Sequence, residues 1–93
     1  MLKKLWYIYI VECCDKTLYT GITTELERRL EEHNSSDEKA ARYTRMRRPV
    51  KLVYHEKAES RSEAIKREKA IKKMTKDSKI RLIESTDYSC FKK

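Results

Sequence analysis

The stretch LYTGIT, residues 18 to 23, holds Gly21, the one glycine of the chain, inside what otherwise reads as a β-strand. Glycine weakens a strand interior, so its place there calls for a bulge, a bend, or the close approach of a backbone or ligand. Upstream, LWYIYIVEC (5–13) is aromatic and β-branched with period-two alternation, the pattern of a first strand. CDKT (14–17) interrupts it, which makes 18–23 the second arm of a hairpin. A two-residue turn at Asp15-Lys16 would set Glu12 opposite Tyr19 and send Tyr9 and Tyr19 to opposite faces. Asp-Lys also lacks the glycine that a type I′ turn favours. The expectation is an odd-length loop, or a bulge near Gly21, that returns both tyrosines to one face.

With one glycine and one proline in 93 residues there is little room for linkers, and the length suits a single domain over 1–85 with a frayed tail over 86–93. Thr24-x-x-Glu27 is a capping box and starts a helix predicted to run to about His33. NSSDEKAARYTRMRR (34–48) is polar and basic, a loop with at most one helical turn. Pro49 opens a third strand, VKLVYHE, expected to place Val50, Leu52 and Tyr54 on one face. Ser60-x-x-Glu63 caps a second helix reaching about Met74, and a last helix follows Thr75 with Ile80, Leu82 and Ile83 apolar. The order ββαβαα predicts an α+β domain: a small three-stranded antiparallel sheet flanked by about three helices.

No run approaches the roughly 18 apolar residues of a membrane span, so no membrane partner is expected. Lys3 and Lys4 precede an apolar run, but that run is short and β-branched and no small-residue cleavage site follows, so it reads as a strand. Cys13, Cys14 and Cys90 are odd in number and fit neither a disulfide framework nor a zinc site, which points to the reducing cytoplasm. Charge is placed unevenly: residues 1–34 carry a net −1 and residues 35–93 a net +9. From Lys39 to Lys51 there are six basic side chains and no acidic one. Such a strip favours nucleic acid as partner, the bland alternative being a solvated basic surface.

Three side chains sit where a purely structural pattern would not put them. With Leu26 as zero and about 100° per residue, Arg29 and His33 flank the apolar stripe of the first helix, one turn apart, while Arg28 faces water. Taken alone, Arg29 and His33 read more simply as a snorkelling arginine and an ordinary helix-end histidine. In the second helix Glu68 falls about 40° from Ala64, inside the apolar face marked by Ala64 and Ile71. A carboxylate there needs a cation: an arginine in a structural ion pair, or a metal.

The pieces YIY (7–9), YTG (19–21), LERRLEEHN (26–34), ARYTRMRRPVKLVY (41–54) and REKAIKK (67–73) together resemble the GIY-YIG nuclease domain, in order and over nearly the whole chain. The nearest likeness is to its small stand-alone bacterial branch. Tyr7 replaces the first motif glycine, Thr20 replaces the motif isoleucine, and TKDSKIRL (75–82) lacks an asparagine that many members carry. The resemblance implies that Tyr9 and Tyr19 are the motif tyrosines, Gly21 the motif glycine, Arg29 the catalytic arginine, His33 a catalytic-site histidine and Glu68 the one metal-binding glutamate. It implies phosphodiester hydrolysis with one divalent ion, Mg²⁺ or another such as Mn²⁺. Tyr9 would take the attacking water's proton, its pKa lowered by the metal and Arg29, and Tyr19 and His33 would orient water or phosphate. Gly21 would leave room for a phosphate.

Nucleic acid, DNA in the first instance, would run along Lys39, Arg42, Arg45, Arg47, Arg48 and Lys72, with Tyr43 stacking on a base. Little sequence specificity is expected unless a protein partner supplies it. The alternative is a nucleic-acid-binding module that does not cut, using the 39–51 strip and joining Glu68 to Arg29 as a buried ion pair. A protein-interaction domain explains the charge poorly.

Overall fold

A computed structural model describes residues 5–85; the expected frayed tail over 86–93 and Cys90 lie outside them. The first two strands are β1 (Trp6–Glu12) and β2 (Leu18–Thr23), followed by helix α1 (Leu26–Ser35). A one-turn helix, α2 (Arg42–Arg45), precedes β3 (Lys51–Ala58), and helices α3 (Arg61–Lys72) and α4 (Lys76–Ser85) complete the order. The three strands form one antiparallel sheet in the order β2-β1-β3. The α+β expectation holds, with the helical turn in the basic segment as a fourth helix.

Glu12 pairs with Leu18, so the hairpin closes through the five residues 13–17. The loop is odd in length, as the face argument required. Asp15 folds it by accepting hydrogen bonds from the Thr17 amide at 3.1 Å and the Thr17 hydroxyl at 2.6 Å. Lys16 takes the left-handed position a glycine would favour, at φ 72°. Tyr9 then pairs with Gly21 and Val11 with Tyr19, which puts both tyrosines on one face.

Alternation along β1 divides the core in two. Ile8 and Ile10 pack with Tyr54, Ala58 and the α3 residues Ala64 and Ile71. Tyr9 and Val11 pack on the other face with Cys13 and Val50, joined by Leu26 and Leu30 of α1 and by Leu52. The expectation for β3 fails here. An irregularity in the pairing between Ile10 and Val11 sets Tyr54 opposite Ile10 and Leu52 opposite Val11. One extra residue in the bulged strand flips the side-chain phase, so Tyr54 lies on the face opposite Val50 and Leu52.

The capping expectations fare unequally. α1 is capped at Glu25 without a side-chain bond, and the Thr24 box does not form. Instead the Thr23 hydroxyl accepts from the Glu25 amide at 3.1 Å, a local turn that completes one residue before the predicted cap. The helix ends two residues past His33, at Ser35, where Arg48 donates to the His33 and Ser36 carbonyls at 2.7 and 2.8 Å. Ser60 does cap α3, accepting from the Glu63 amide at 3.1 Å, and the helix proper stops at Lys72, short of Met74. No helix among the described residues is long and apolar enough to cross a membrane.

Candidate active site

Tyr9 and His33 meet on the α1 face of the sheet. The Tyr9 hydroxyl lies 2.7 Å from His33 Nε2, and His33 Nδ1 lies 2.6 Å from the Thr44 hydroxyl of α2. Thr44 in turn donates to the Ala41 carbonyl at 3.1 Å. All three side chains are buried, His33 and Thr44 completely. Two aromatic rings close over the imidazole: Tyr9 at 5.7 Å and Tyr19 at 5.5 Å between centroids, both edge to face.

Burial sets the protonation of this pair. It pushes the Tyr9 phenol up to about 12, the Arg29 guanidinium pulling the other way and the charge of Glu68 adding to the rise. It pushes His33 down to about 4, helped by Arg29. At neutral pH the phenol holds its proton and the imidazole is neutral. Arg29 alone does lower Tyr9, as expected of it, but desolvation outweighs the arginine.

Arg29 projects from α1 beside Tyr9. Its Nη1 donates to Glu32 Oε1 at 3.0 Å and to the Lys39 carbonyl at 2.6 Å. Burial pulls the guanidinium down, and Glu32 and Tyr9 more than restore it, so it stays charged. Arg29 also holds the Glu32 carboxyl below its ordinary range. Glu68, on α3, is 18% exposed at the side chain, and its cation is Lys72, 3.2 Å away. The Glu68–Arg29 pair posited for a non-cutting module is not formed among the described residues: each has another partner, one turn away on its own helix.

Gly21 has a different purpose from the one expected. A Cβ built there would come 2.5 Å from the Tyr9 hydroxyl oxygen and 2.7 Å from Cζ. The missing side chain makes room for the Tyr9 ring, which crosses its cross-strand neighbour to reach His33.

The basic strip is less open than its charge suggests. Arg48 closes the end of α1, and Arg45 donates to the Asp37 carbonyl at 2.7 Å. Arg47 pairs with Asp15 at 3.1 Å and lies 3.9 Å over the ring of Tyr43. Tyr43 itself stacks on Tyr19 with centroids 5.9 Å apart, so the ring proposed for a base is already in contact within the protein. Lys39 and Arg42 are exposed.

Two neighbours of the site carried no signal in the sequence. Thr44 lies in a basic loop with no periodicity, and only the fold brings it to His33. His55 stands opposite Tyr9 in the β1–β3 register, its ring edge-on to Tyr7 at 6.1 Å.

Among the described residues no group of three or more His, Cys, Asp and Glu side chains could hold a metal ion. Of the carboxylates near Tyr9 and Arg29, Glu32 is held by Arg29 and Glu68 by the half-exposed Lys72, which leaves Glu68 the one free to take a cation. One hard oxygen donor suits Mg²⁺, which keeps several of its waters and completes its shell with phosphate oxygens.

The sheet thus carries Tyr9 and Tyr19 on one face of adjacent strands, with Arg29 and His33 one turn apart on α1 and Glu68 on α3. The profile of the GIY-YIG catalytic domain matches residues 5–81, and the chain belongs to that family. It is 57% identical over 82 residues to UPF0213 protein DP2720 of Desulfotalea psychrophila, covering 88% of this chain and 74% of that one. A UPF0213 protein of Syntrophus aciditrophicus is 55% identical over 78 residues, 84% of this chain and 88% of its own. Among solved structures, protein EF2693 of E. faecalis is similar at a TM-score of 0.57 and 48% identity, covering 86% of this chain and 84% of that one. UPF0213 protein BH0048 of Bacillus halodurans is similar at 0.55 and 38%, covering 86% and 83%.

Proposed function

We propose that this protein is a divalent-metal-dependent endonuclease that hydrolyses phosphodiester bonds of nucleic acid, DNA in the first instance, with little sequence specificity. The observation that carries the reading is the buried contact between the Tyr9 hydroxyl and a neutral His33, with charged Arg29 beside it. A phenol with a pKa near 12 is a poor base by itself. Coupled to His33 it becomes a relay once a phosphate's negative charge stands beside the buried pair and raises His33 from about 4: the attacking water gives its proton to the Tyr9 oxygen while Tyr9 passes its own to Nε2. The hydroxide so formed makes the new P–O bond, and the leaving oxygen departs with the electron pair of the broken one and takes a proton from solvent.

Arg29 donates to the phosphate oxygens as charge builds on them, exchanging the Lys39 carbonyl for the substrate. Tyr19 walls the imidazole and orients water or phosphate. Glu68 would hold Mg²⁺ or Mn²⁺, with Lys72 giving up its contact. When bound, the ion supplies charge neutralisation at the scissile phosphate and at the leaving oxygen. The free thiols Cys13 and Cys14 suit a reducing cytoplasm.

Phosphate contacts along the backbone fall to Lys39 and Arg42, with Arg45, Arg47 and Arg48 contributing field from their structural posts. Lys66 and Lys69 on α3 and Lys73 at its C-cap add an exposed row at helical spacing. Labelled DNA in single-stranded, nicked, flapped and branched forms, incubated with Mg²⁺ or with a chelator, tests the reading. Cleavage confined to the Mg²⁺ arm is the expected result, and binding without cleavage in every form would favour a non-cutting module.

A further inference from the structure

We infer that Thr44 is a positioning residue that fixes His33 as the Nδ1–H tautomer, leaving Nε2 bare to receive the Tyr9 proton. The inference deepens the nuclease reading and rests on it for its catalytic consequence, not for the hydrogen-bond direction itself.

Three hydrogens must be placed along a buried line of four groups: Tyr9, His33, Thr44 and the Ala41 carbonyl. In one direction the Tyr9 hydroxyl donates to Nε2 across 2.7 Å, Nδ1–H donates to the Thr44 oxygen across 2.6 Å, and Thr44 donates to the Ala41 carbonyl across 3.1 Å. Every hydrogen then has an acceptor, and the Tyr9 oxygen turns its lone pairs to Arg29. In the reverse direction Thr44 donates to Nδ1 and Nε2–H donates to Tyr9. The phenol proton must then find another acceptor, and the charged group beside it, Arg29, has only donors. The reverse direction strands a buried donor, so the first is preferred.

The groups facing His33 reinforce this. Tyr9 and Tyr19 approach from the two strands, Thr44 from α2, Arg29 and Glu32 from its own helix, and Arg48 from the turn after α2. None of these but Thr44 offers an acceptor to Nδ1. Thr44 is itself held by its bond to Ala41 and by the burial of its whole side chain. The segment between α1 and β3 therefore does more than carry charge: it terminates the proton path from the site. In the proton step the path gains one proton at Tyr9 from water and moves one to Nε2, so His33 becomes an imidazolium with Nδ1–H still bound to Thr44.

The chain has two histidines, His33 and His55, so side-chain nitrogen resonances of the ¹⁵N-labelled protein at neutral pH are readily assigned by comparison with His55→Asn. Wild-type protein is expected to show His33 protonated at Nδ1 and bare at Nε2. A mirror-image result, with Nε2 protonated, overturns the inference without any variant. Thr44→Val keeps the shape and removes the acceptor; it should shift His33 toward the Nε2–H form and lower kcat on the order of 10- to 100-fold, with KM unchanged. Thr44→Ser should restore both the tautomer and the rate. A Thr44→Val protein with the wild-type tautomer and wild-type rate contradicts the inference, as does a Thr44→Ser protein that has lost the Nδ1–H form. If wild-type protein cuts nothing but carries the Nδ1–H tautomer, the nuclease reading falls and the positioning of His33 by Thr44 stands.

Discussion

The two faces of the sheet draw on the same strand and are built on opposite terms. Ile8 and Ile10 of β1 meet Ala64 and Ile71 of α3, carbon against carbon. Their neighbours Tyr9 and Val11 look the other way, where Leu26 and Leu30 of α1 flank a fully buried histidine and a fully buried threonine. Burying polar groups is costly unless each finds a partner, and Tyr9, His33 and Thr44 find theirs in one another and in the Ala41 carbonyl. The closed face contributes stability that the α1 face spends on a fixed set of proton positions. Substitutions on the two faces should therefore separate: those on the α3 face move the melt, those on the α1 face move the chemistry.

Glu68 gives the largest expected effect, because it belongs to α3 and, as a metal ligand in the proposed function, would serve the α1 face. Glu68→Gln should lower divalent-dependent cleavage by orders of magnitude while the melt holds or rises slightly, since a largely buried carboxylate is gone and Lys72 next to it is half exposed. A marked loss of stability with full residual cleavage would assign Glu68 to the core and break the division. Ile71→Ala should do the reverse, costing about 2–5 kcal/mol in denaturant unfolding and leaving cleavage of the folded protein unchanged.

As the pH falls, acid should act first through the α1 face. The unfolded chain protonates its histidines near pH 6.5, while folded His33 resists until about pH 4. Between those values the unfolded state binds the additional proton, so stability is full above pH 6.5 and falls as the pH drops through this window. The loss at the bottom is on the order of 3 kcal/mol, and His33→Gln should remove that part of the slope in chemical denaturation at several pH values.

One residue breaks the rule of the closed face. The Thr20 hydroxyl is buried there and lacks a hydrogen-bond partner among the described residues. Thr20→Val should stabilise the protein by about 1 kcal/mol, the smallest effect of the set, with cleavage unchanged. A destabilised Thr20→Val protein would mean that the hydroxyl is satisfied and that the two faces are less distinct than drawn.

Much of this was legible in the sequence, and the illegible parts share a cause. Period-two alternation gave both faces of β1, and the mismatch of Asp15-Lys16 with a two-residue turn called for an odd-length loop or a bulge that brings Tyr9 and Tyr19 to one face; the loop proved to have five residues. Ser60 announced its cap. The phase of β3 was hidden, because a bulge is a compromise between two strands and leaves no mark in either. Thr44 was hidden for a similar reason: its contact with His33 spans eleven residues of irregular chain. For Tyr9 the arginine beside it was visible in the resemblance, and the depth of its burial, which outweighs that arginine, was not. Gly21 was read as room for a ligand; the room belongs to a side chain of the neighbouring strand.

The central claim is that the Tyr9 hydroxyl, held by His33, handles the proton of the attacking water. Tyr9→Phe removes that one oxygen and keeps the ring over Gly21. Measured side by side, Mg²⁺-dependent cleavage should fall by orders of magnitude while DNA affinity stays within about twofold and the unfolding free energy within about 1.5 kcal/mol, the usual value of a lost hydrogen bond. Cleavage at the wild-type rate by the phenylalanine protein would contradict the account.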